Sequence, residues 1–338
     1  MVRTDRIGDV VLSLPVISAL RRKFPESRLA MLVRPENHPV VEDYPGLDEV
    51  LFDGAGARGL PGFFRIVRCV RKKRFDAVLI LHPTFRLALI CFMAGVPIRI
   101  GTGYRIYSVL FNRRVYEHRR HSTRHEAEYN LSLVSHLGAD SHHVTFELAV
   151  RDEEKASLFE ILVKNRIPSR RPLIILHPGS RGSALDWPPV YFGNLADELI
   201  GKLDAQVIIT GIEEEKPVID EVCSHARGRI HNLAGELTLK QLMALLQSAD
   251  LVIANSTGPL HLAAALGTAV VGLYPPFRTA GIRRWGPYGR KNSVLVPPYG
   301  PCAKCRKERC PHWNCMNTIS VSAVFEKARD QLHIQDHS

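Results

Sequence analysis

The sequence predicts an α/β protein made of two successive domains with parallel sheets. Three observations carry that expectation. Short, β-branched apolar runs alternate with helical stretches along most of the 338 residues, which implies parallel sheets covered on both faces. The alternation fades in the charged stretch 151–171 and then restarts. Residues 249–274, ADLVIANSTGPLHLAAALGTAVVGLY, read as strand, small-residue loop, helix and strand. We place the boundary at 165/166, giving domains 1–165 and 166–338. A ligand cleft is expected between them, at the carboxyl ends of both sheets.

The first half opens with a strand stub, Met1-Val2-Arg3, and a polar loop at 4–9. Residues 10–24 have helical periodicity and end in Arg21-Arg22-Lys23, cations suited to a helix C-terminus. Pro15 should kink that helix or mark its first turn. Strands are expected at 28–33, 50–52, 77–81 and 98–101. Helices are expected at 60–74, 84–94 and 126–137, the last stopped by Gly138. Residues 105–123 read as basic and irregular. In the second half, strands are expected at 173–176, 206–210, 250–254 and 269–274. Helices are expected at 190–202, 213–226, 239–248, 260–266 and 321–332.

The composition is globular, 45% hydrophobic and 23% charged. No apolar run reaches the roughly 20 residues a transmembrane helix needs. Charged residues follow Met1 almost at once, so no signal peptide is expected and the compartment reads as cytosolic. The formal charge is +11 and the pI about 9.5. Basic residues cluster at 65–74 and again at 99–124. Nucleic acid, an anionic membrane surface and an anionic substrate could each use such charge, as could a solvated face with no partner. No nucleic-acid-binding signature is present, so nucleic acid is the least favoured of these.

Several constellations could carry chemistry. Asp9 follows a strand and a Gly-containing loop, where a carboxylate could take a proton from a substrate hydroxyl; it also reads as a helix N-cap. The loop His177-Pro178-Gly179-Ser180-Arg181-Gly182-Ser183 offers hydroxyls and amides to an anion. Ser256-Thr257-Gly258 precedes a helix and does the same. Glu213, Glu214 and Glu215 follow a strand, where an acidic residue can bind ribose hydroxyls, or simply form an acidic first helical turn. No Asp-x-Asp or GxxxxGK[ST] is present. Cys302, Cys305, Cys310 and Cys315, with His312, are enough ligands for structural zinc; reduced thiols packing an irregular loop are the plainer reading. His118, His121 and His125 read as a solvated or substrate-facing group.

RTDRIGDVVLSLPVISALRRKFP, HEAEYNLSLVSHLG, HPGSRGSALDWPPVYFGNLADEL and LVIANSTGPLHLAAALGTAVVGLYPP occur in that order. Together with the Cys-rich tail running into CMNTISVSAVFEKA, they resemble glycosyltransferase family 9, the ADP-heptose:lipopolysaccharide heptosyltransferases. The resemblance implies a GT-B fold of two Rossmann-like domains and inverting, metal-independent transfer with no required cofactor. It implies an acceptor held mainly by the first domain and a nucleotide-sugar donor held mainly by the second. It makes Asp9 the general base. It puts the donor diphosphate on Ser256, Thr257 and Gly258, near Ser180, Arg181, Ser183 and His261, and the ribose on Glu213 or Glu215. The implied acceptor is a phosphorylated, Kdo-bearing lipid at the inner face of the cytoplasmic membrane. Arg6, Arg86, Arg105 and Arg120 would meet its anionic groups. Peripheral contact with that membrane is expected.

Two departures stand out. Ser256 lies where well-known members carry Asp, and Leu185 where they carry Lys. They suggest an altered donor pocket, with Arg181 as a substitute cation. Family members also carry several more apolar residues before the Arg-Thr, so the first strand is expected to begin upstream. Two other readings stay open: transfer of a different sugar to another surface glycan, and a non-catalytic protein that binds nucleotide sugars or lipids.

Overall fold

A computed structural model describes residues 1–54, 59–168, 172–182, 185–278, 281–289, 293–303, 305 and 307–333. The chain divides into two compact units. The first holds 1–120 and 126–148, the second 121–125 and 149–338.

The first unit is built on parallel strands β1 (Ala30–Val33), β2 (Glu49–Phe52), β3 (Ala77–Leu79), β4 (Ile98–Thr102) and β5 (Arg113–Val115). β1 pairs with β2, and β3, β4 and β5 pair in that order. Val2 joins the two sets, bridging Leu32 on one side and Ile80 on the other. The helices are α1 (Ile7–Val11), α2 (Pro15–Lys23), α3 (His38–Val41), α4 (Gly59–Lys73), α5 (Phe85–Met93) and α6 (Glu126–Leu131). Pro15 opens α2, where its missing amide costs nothing, so the expected single helix is two. Thr84 caps α5 by accepting from the Leu87 amide at 3.3 Å. Gly138, at φ 73°, ends the 3-10 turns that extend α6. The region 105–123 is not wholly irregular: β5 lies within it, too short for a period-2 pattern to show. Val2, Leu32, Ile66, Ile80, Leu87 and Phe111 centre one core.

The second unit contains α7 (Asp152–Lys164), β6 (Leu173–His177), α8 (Pro189–Leu203), β7 (Gln206–Ile209), α9 (Lys216–His225) and β8 (His231–Asn232). It continues with α10 (Leu239–Ser248), β9 (Leu251–Asn255), α11 (Gly258–Ala265), β10 (Ala269–Leu273), α12 (Ile282–Trp285), β11 (Val294–Leu295) and α13 (Val321–His333). Its strands form one parallel sheet, ordered β11-β10-β9-β6-β7-β8. The central strands are buried on both faces, hence their unbroken apolar runs.

The boundary at 165/166 needs correcting, because α7 belongs with the second unit. It packs on α10, and Lys240 reaches Glu154 at 3.2 Å. A charged, half-exposed helix looks like a linker in sequence. Its few inward residues, such as Leu158, carry the packing.

One buried amide fixes the loop after β6. Asn255 Nδ2 donates to Pro178 O at 2.6 Å, and its Oδ1 accepts from the Trp187 amide at 2.9 Å. Both ends of the loop are thereby fastened to the tip of β9. The Trp187 indole is buried and donates to Ile319 O at 2.9 Å. Asn255→Ala leaves a buried acceptor and a buried donor unmet, each costing about 1–3 kcal/mol. Urea unfolding should show a stability loss of about 2 kcal/mol or more. A loss below about 0.5 kcal/mol, the range of ordinary surface changes, would show that the amide does not fasten the loop.

Candidate functional site

The first unit's chemistry gathers around Arg3, which enters the sheet between β1 and β3. Its side chain is only 2% exposed. Nε reaches Asp5 Oδ1 at 2.8 Å, and Nη2 reaches Asp9 Oδ1 at 2.5 Å. Nη1 reaches Glu126 Oε1 at 3.3 Å and Asn130 Oδ1 at 3.1 Å. Arg119 Nη1 binds the same Glu126 oxygen at 2.6 Å. Two guanidinium groups therefore face three carboxylates, an arrangement that survives burial only because each charge is paired. Asn130 Nδ2 also donates to Leu12 O and Ser13 Oγ, and Ser13 Oγ donates to Asp9 O at 2.8 Å. These bonds tie α6 to the turn carrying Asp9.

Asp9 lies inside α1, whose cap position is Arg6, so its carboxylate is not an N-cap. The side chain keeps 18% of its surface exposed. Burial pushes its carboxyl up to about 6. The Arg3 charge opposes that rise, and Asp5 and Glu126 add to it. Such a group is ionised at neutral pH yet basic enough to accept a proton.

In the second unit, two connections leave the carboxyl ends of neighbouring strands β6 and β9. The first is the loop fastened by Asn255. His177 at its start is buried, with Nδ1 3.0 Å from Thr210 Oγ1 and Nε2 4.0 Å from Glu215 Oε2. Gly179 passes flat against the Glu215 carboxyl group: a Cβ there would lie 2.2 Å from it. Ser180 is buried. Arg181 is exposed, with φ 50°, followed by Gly182 at 67°. The second connection is Ser256-Thr257, which opens α11. Thr257 is the N-cap, but its side chain makes no capping bond. First-turn amides and the helix dipole suit an anion there.

The structure separates the two acidic candidates. Glu213 is exposed and paired with Lys216 at 2.8 Å. Glu215 is turned inward, accepting from the Ile212 amide at 3.1 Å. His261 is buried on α11, and its Nδ1 has no hydrogen-bond partner among the described residues. Burial, and then His125, lower its pKa to about 3, so the imidazole is neutral. His125 itself is buried, its Nε2 2.7 Å from Gly286 O. The Ser256 hydroxyl is hydrogen-bonded to Tyr274, whose own hydroxyl donates to Trp285 O at 2.7 Å. Leu185 packs on the second unit's core.

Ser180, Arg181, Ser256, Thr257, Gly258 and His261 thus lie on the adjoining β6 and β9 connections. Ser183 and the Arg120 side chain fall outside the described part. Arg6, Arg86 and Arg105 lie on three separate connections of the first sheet, and Arg86 already pairs with Asp53 at 2.8 Å. Sequence reasoning missed Arg3, Arg119, Glu126 and Asn130 as one cluster. Arg3 and Glu126 do stand in stretches that carry the family resemblance. Cys302, Cys310 and Cys315 are free thiols. Among the described residues, no group of three or more His, Cys, Asp or Glu side chains is placed to hold a metal.

Comparison with known proteins adds to this geometry. The family described as Glycosyltransferase family 9 (heptosyltransferase) matches residues 63–315. The chain is 28% identical over 283 residues to lipopolysaccharide heptosyltransferase 2 of Salmonella typhimurium, covering 80% of each. Its fold is similar to that of a family 9 glycosyl transferase from Veillonella parvula, with a TM-score of 0.83 at 21% identity over 98% of this chain and 96% of that one. It is also similar to the Escherichia coli ADP-heptose heptosyltransferase II, with a TM-score of 0.79 at 22% identity over 100% and 98%. A match through most of the chain, joined to these likenesses, makes the protein a member of glycosyltransferase family 9 and a glycosyltransferase of GT-B fold.

Proposed function

We propose that the enzyme transfers a heptose from ADP-heptose to a Kdo-bearing lipid acceptor of lipopolysaccharide, with inversion at the anomeric carbon. The observation that carries this reading is Asp9, a partly exposed carboxylate anchored by a buried Arg3 and pushed up to about 6. Asp9 takes the proton of the acceptor hydroxyl. The resulting oxygen bonds to the anomeric carbon while the bond from that carbon to the diphosphate breaks, and ADP departs with the electron pair. Charge growing on the diphosphate meets the amides opening α11 and the exposed Arg181. Preorganised donors of this kind stabilise a leaving group. Glu213, being exposed, is the better placed of the two candidates for the ribose. The named heptosyltransferase relatives support the sugar. The missing Asp-x-Asp supports transfer without a metal.

The acceptor is a lipid in this reading, so the enzyme works on the cytoplasmic face of an anionic membrane. No helix among the described residues is long and apolar enough to cross one. A second reading, transfer of another sugar, draws on Ser256 and Leu185. One is tied to Tyr274 and the other is packed on the core, so neither brings a charge to the donor.

Three outcomes are expected. Asp9→Asn should lower kcat by at least about a hundredfold, the usual scale of a lost general base, while an ADP-induced rise in melting temperature persists. Undiminished turnover in that variant would remove Asp9 from the mechanism. The active form is the ionised carboxylate, so activity should fall as pH drops through about 6, approaching tenfold per unit below it, in a kcat/KM profile. A flat profile from pH 5 to 7 would mean that the base is another group. In a donor screen, ADP-heptose at 100 times its dissociation constant should add roughly 2.7 kcal/mol of stability. A shift with UDP- or GDP-sugars alone would favour the second reading.

A further inference from the structure

We propose that the first unit carries a bilayer-docking surface, an apolar tip collared by arginines, on the sheet edge that holds Asp9. Ile106 is 99% exposed and Val109 is 70% exposed. Both belong to a 3-10 turn, 106–110. Residues three apart eclipse one another in that geometry, so the two side chains share one outward face. The turn is not loose. Ser108 Oγ donates to Thr102 O at 2.5 Å and accepts from the Arg105 amide at 3.0 Å. Tyr107 faces inward, with its hydroxyl on Pro83 O at 2.7 Å and its ring 6.2 Å from Phe85. A rigid turn that buries its polar residue and offers its aliphatic ones to water needs an explanation.

Parallel topology extends the tip. The connections after β2, β3 and β4 all start from the same sheet edge. Each brings an exposed apolar residue: Leu60 and Phe64 at the start of α4, Phe85 at the start of α5, and Ile106 and Val109 in the turn. α4 packs on α5, and α5 packs on the turn, so the three segments adjoin. Single exposed apolar side chains are ordinary. A shared edge of them is the mark of an interaction site.

Charge selects the occupant. Arg65, Arg68 and Arg105 are exposed beside those residues, in a chain of net charge +11. Aliphatic side chains ringed by cations match the boundary between acyl chains and anionic headgroups. Asp9 follows the Met1–Arg3 strand at the same edge, so docking turns the base toward the lipid surface. This last step rests on the lipid acceptor proposed above.

The test uses the full chain and vesicles of phosphatidylglycerol and phosphatidylethanolamine that contain no glycolipid. The wild-type protein should sediment with them, much less so with phosphatidylcholine vesicles, and less as salt rises. The double variant Ile106→Ser, Val109→Ser should bind the anionic vesicles at least tenfold more weakly. It should keep the wild-type melting temperature, the ADP-induced shift, and turnover of a delipidated, water-soluble acceptor. Equal vesicle binding by the variant, or none by the wild type, would overturn the proposal. So would a wild-type oligomer that the double variant converts to monomer, since a second copy would then be the occupant. Vesicle binding that persists while ADP-heptose fails the donor screen would leave the surface standing and sink only the sugar assignment.

Discussion

Everything in the first unit's site depends on one buried guanidinium. Arg3 enters the sheet between β1 and β3 and then satisfies carboxylates from its own loop, from α1 and from α6. Removing a single partner from such a network leaves an uncompensated charge in the interior. The network also sets the basicity of Asp9, since burial raises the carboxyl while Arg3 holds it ionised. Stability and acid–base chemistry are therefore one arrangement here.

The second unit solves a different problem with different means. The loops after β6 and β9 carry few charges and rely on backbone groups held in place from behind. Asn255, Glu215 and His177 are buried. They shape the loop that passes over them, with Gly179 lying against the Glu215 carboxyl group. The residues that would meet a diphosphate are small or exposed. This division suits the proposed release of a nucleoside diphosphate after each turnover.

Much of this was legible in the sequence, and the failures have causes. The strand–helix alternation survived because buried parallel strands need long apolar runs, and Pro15, Thr84 and Gly138 marked their boundaries. β5, β8 and β11 were missed because two or three residues cannot show a period. α7 was not expected as a helix because its surface is charged and its packing rests on few residues. Asp9 stood out by its place after a strand and a glycine. The surrounding cluster did not: Arg3 is a single basic residue six positions away with no pattern of its own, and no local pattern joins Glu126 and Arg119 to a residue more than a hundred positions earlier. The inward turn of Glu215 was equally hidden, since Glu213 and Glu215 look alike in sequence.

The amide that fastens the loop after β6 has a bearing on chemical ageing. Asn255 is followed by Ser256, a pairing in which asparagine deamidates when the next backbone nitrogen is free to attack the side chain. That nitrogen donates to Leu273 O at 3.0 Å, and both ends of the Asn255 amide are engaged. Ring closure to a succinimide would have to break all three bonds inside the sheet. The folded protein thus shields its own fastening from slow hydrolysis. A chain that opened at this edge would lose the shield and, on conversion to aspartate, would set a carboxylate oxygen against the Pro178 carbonyl.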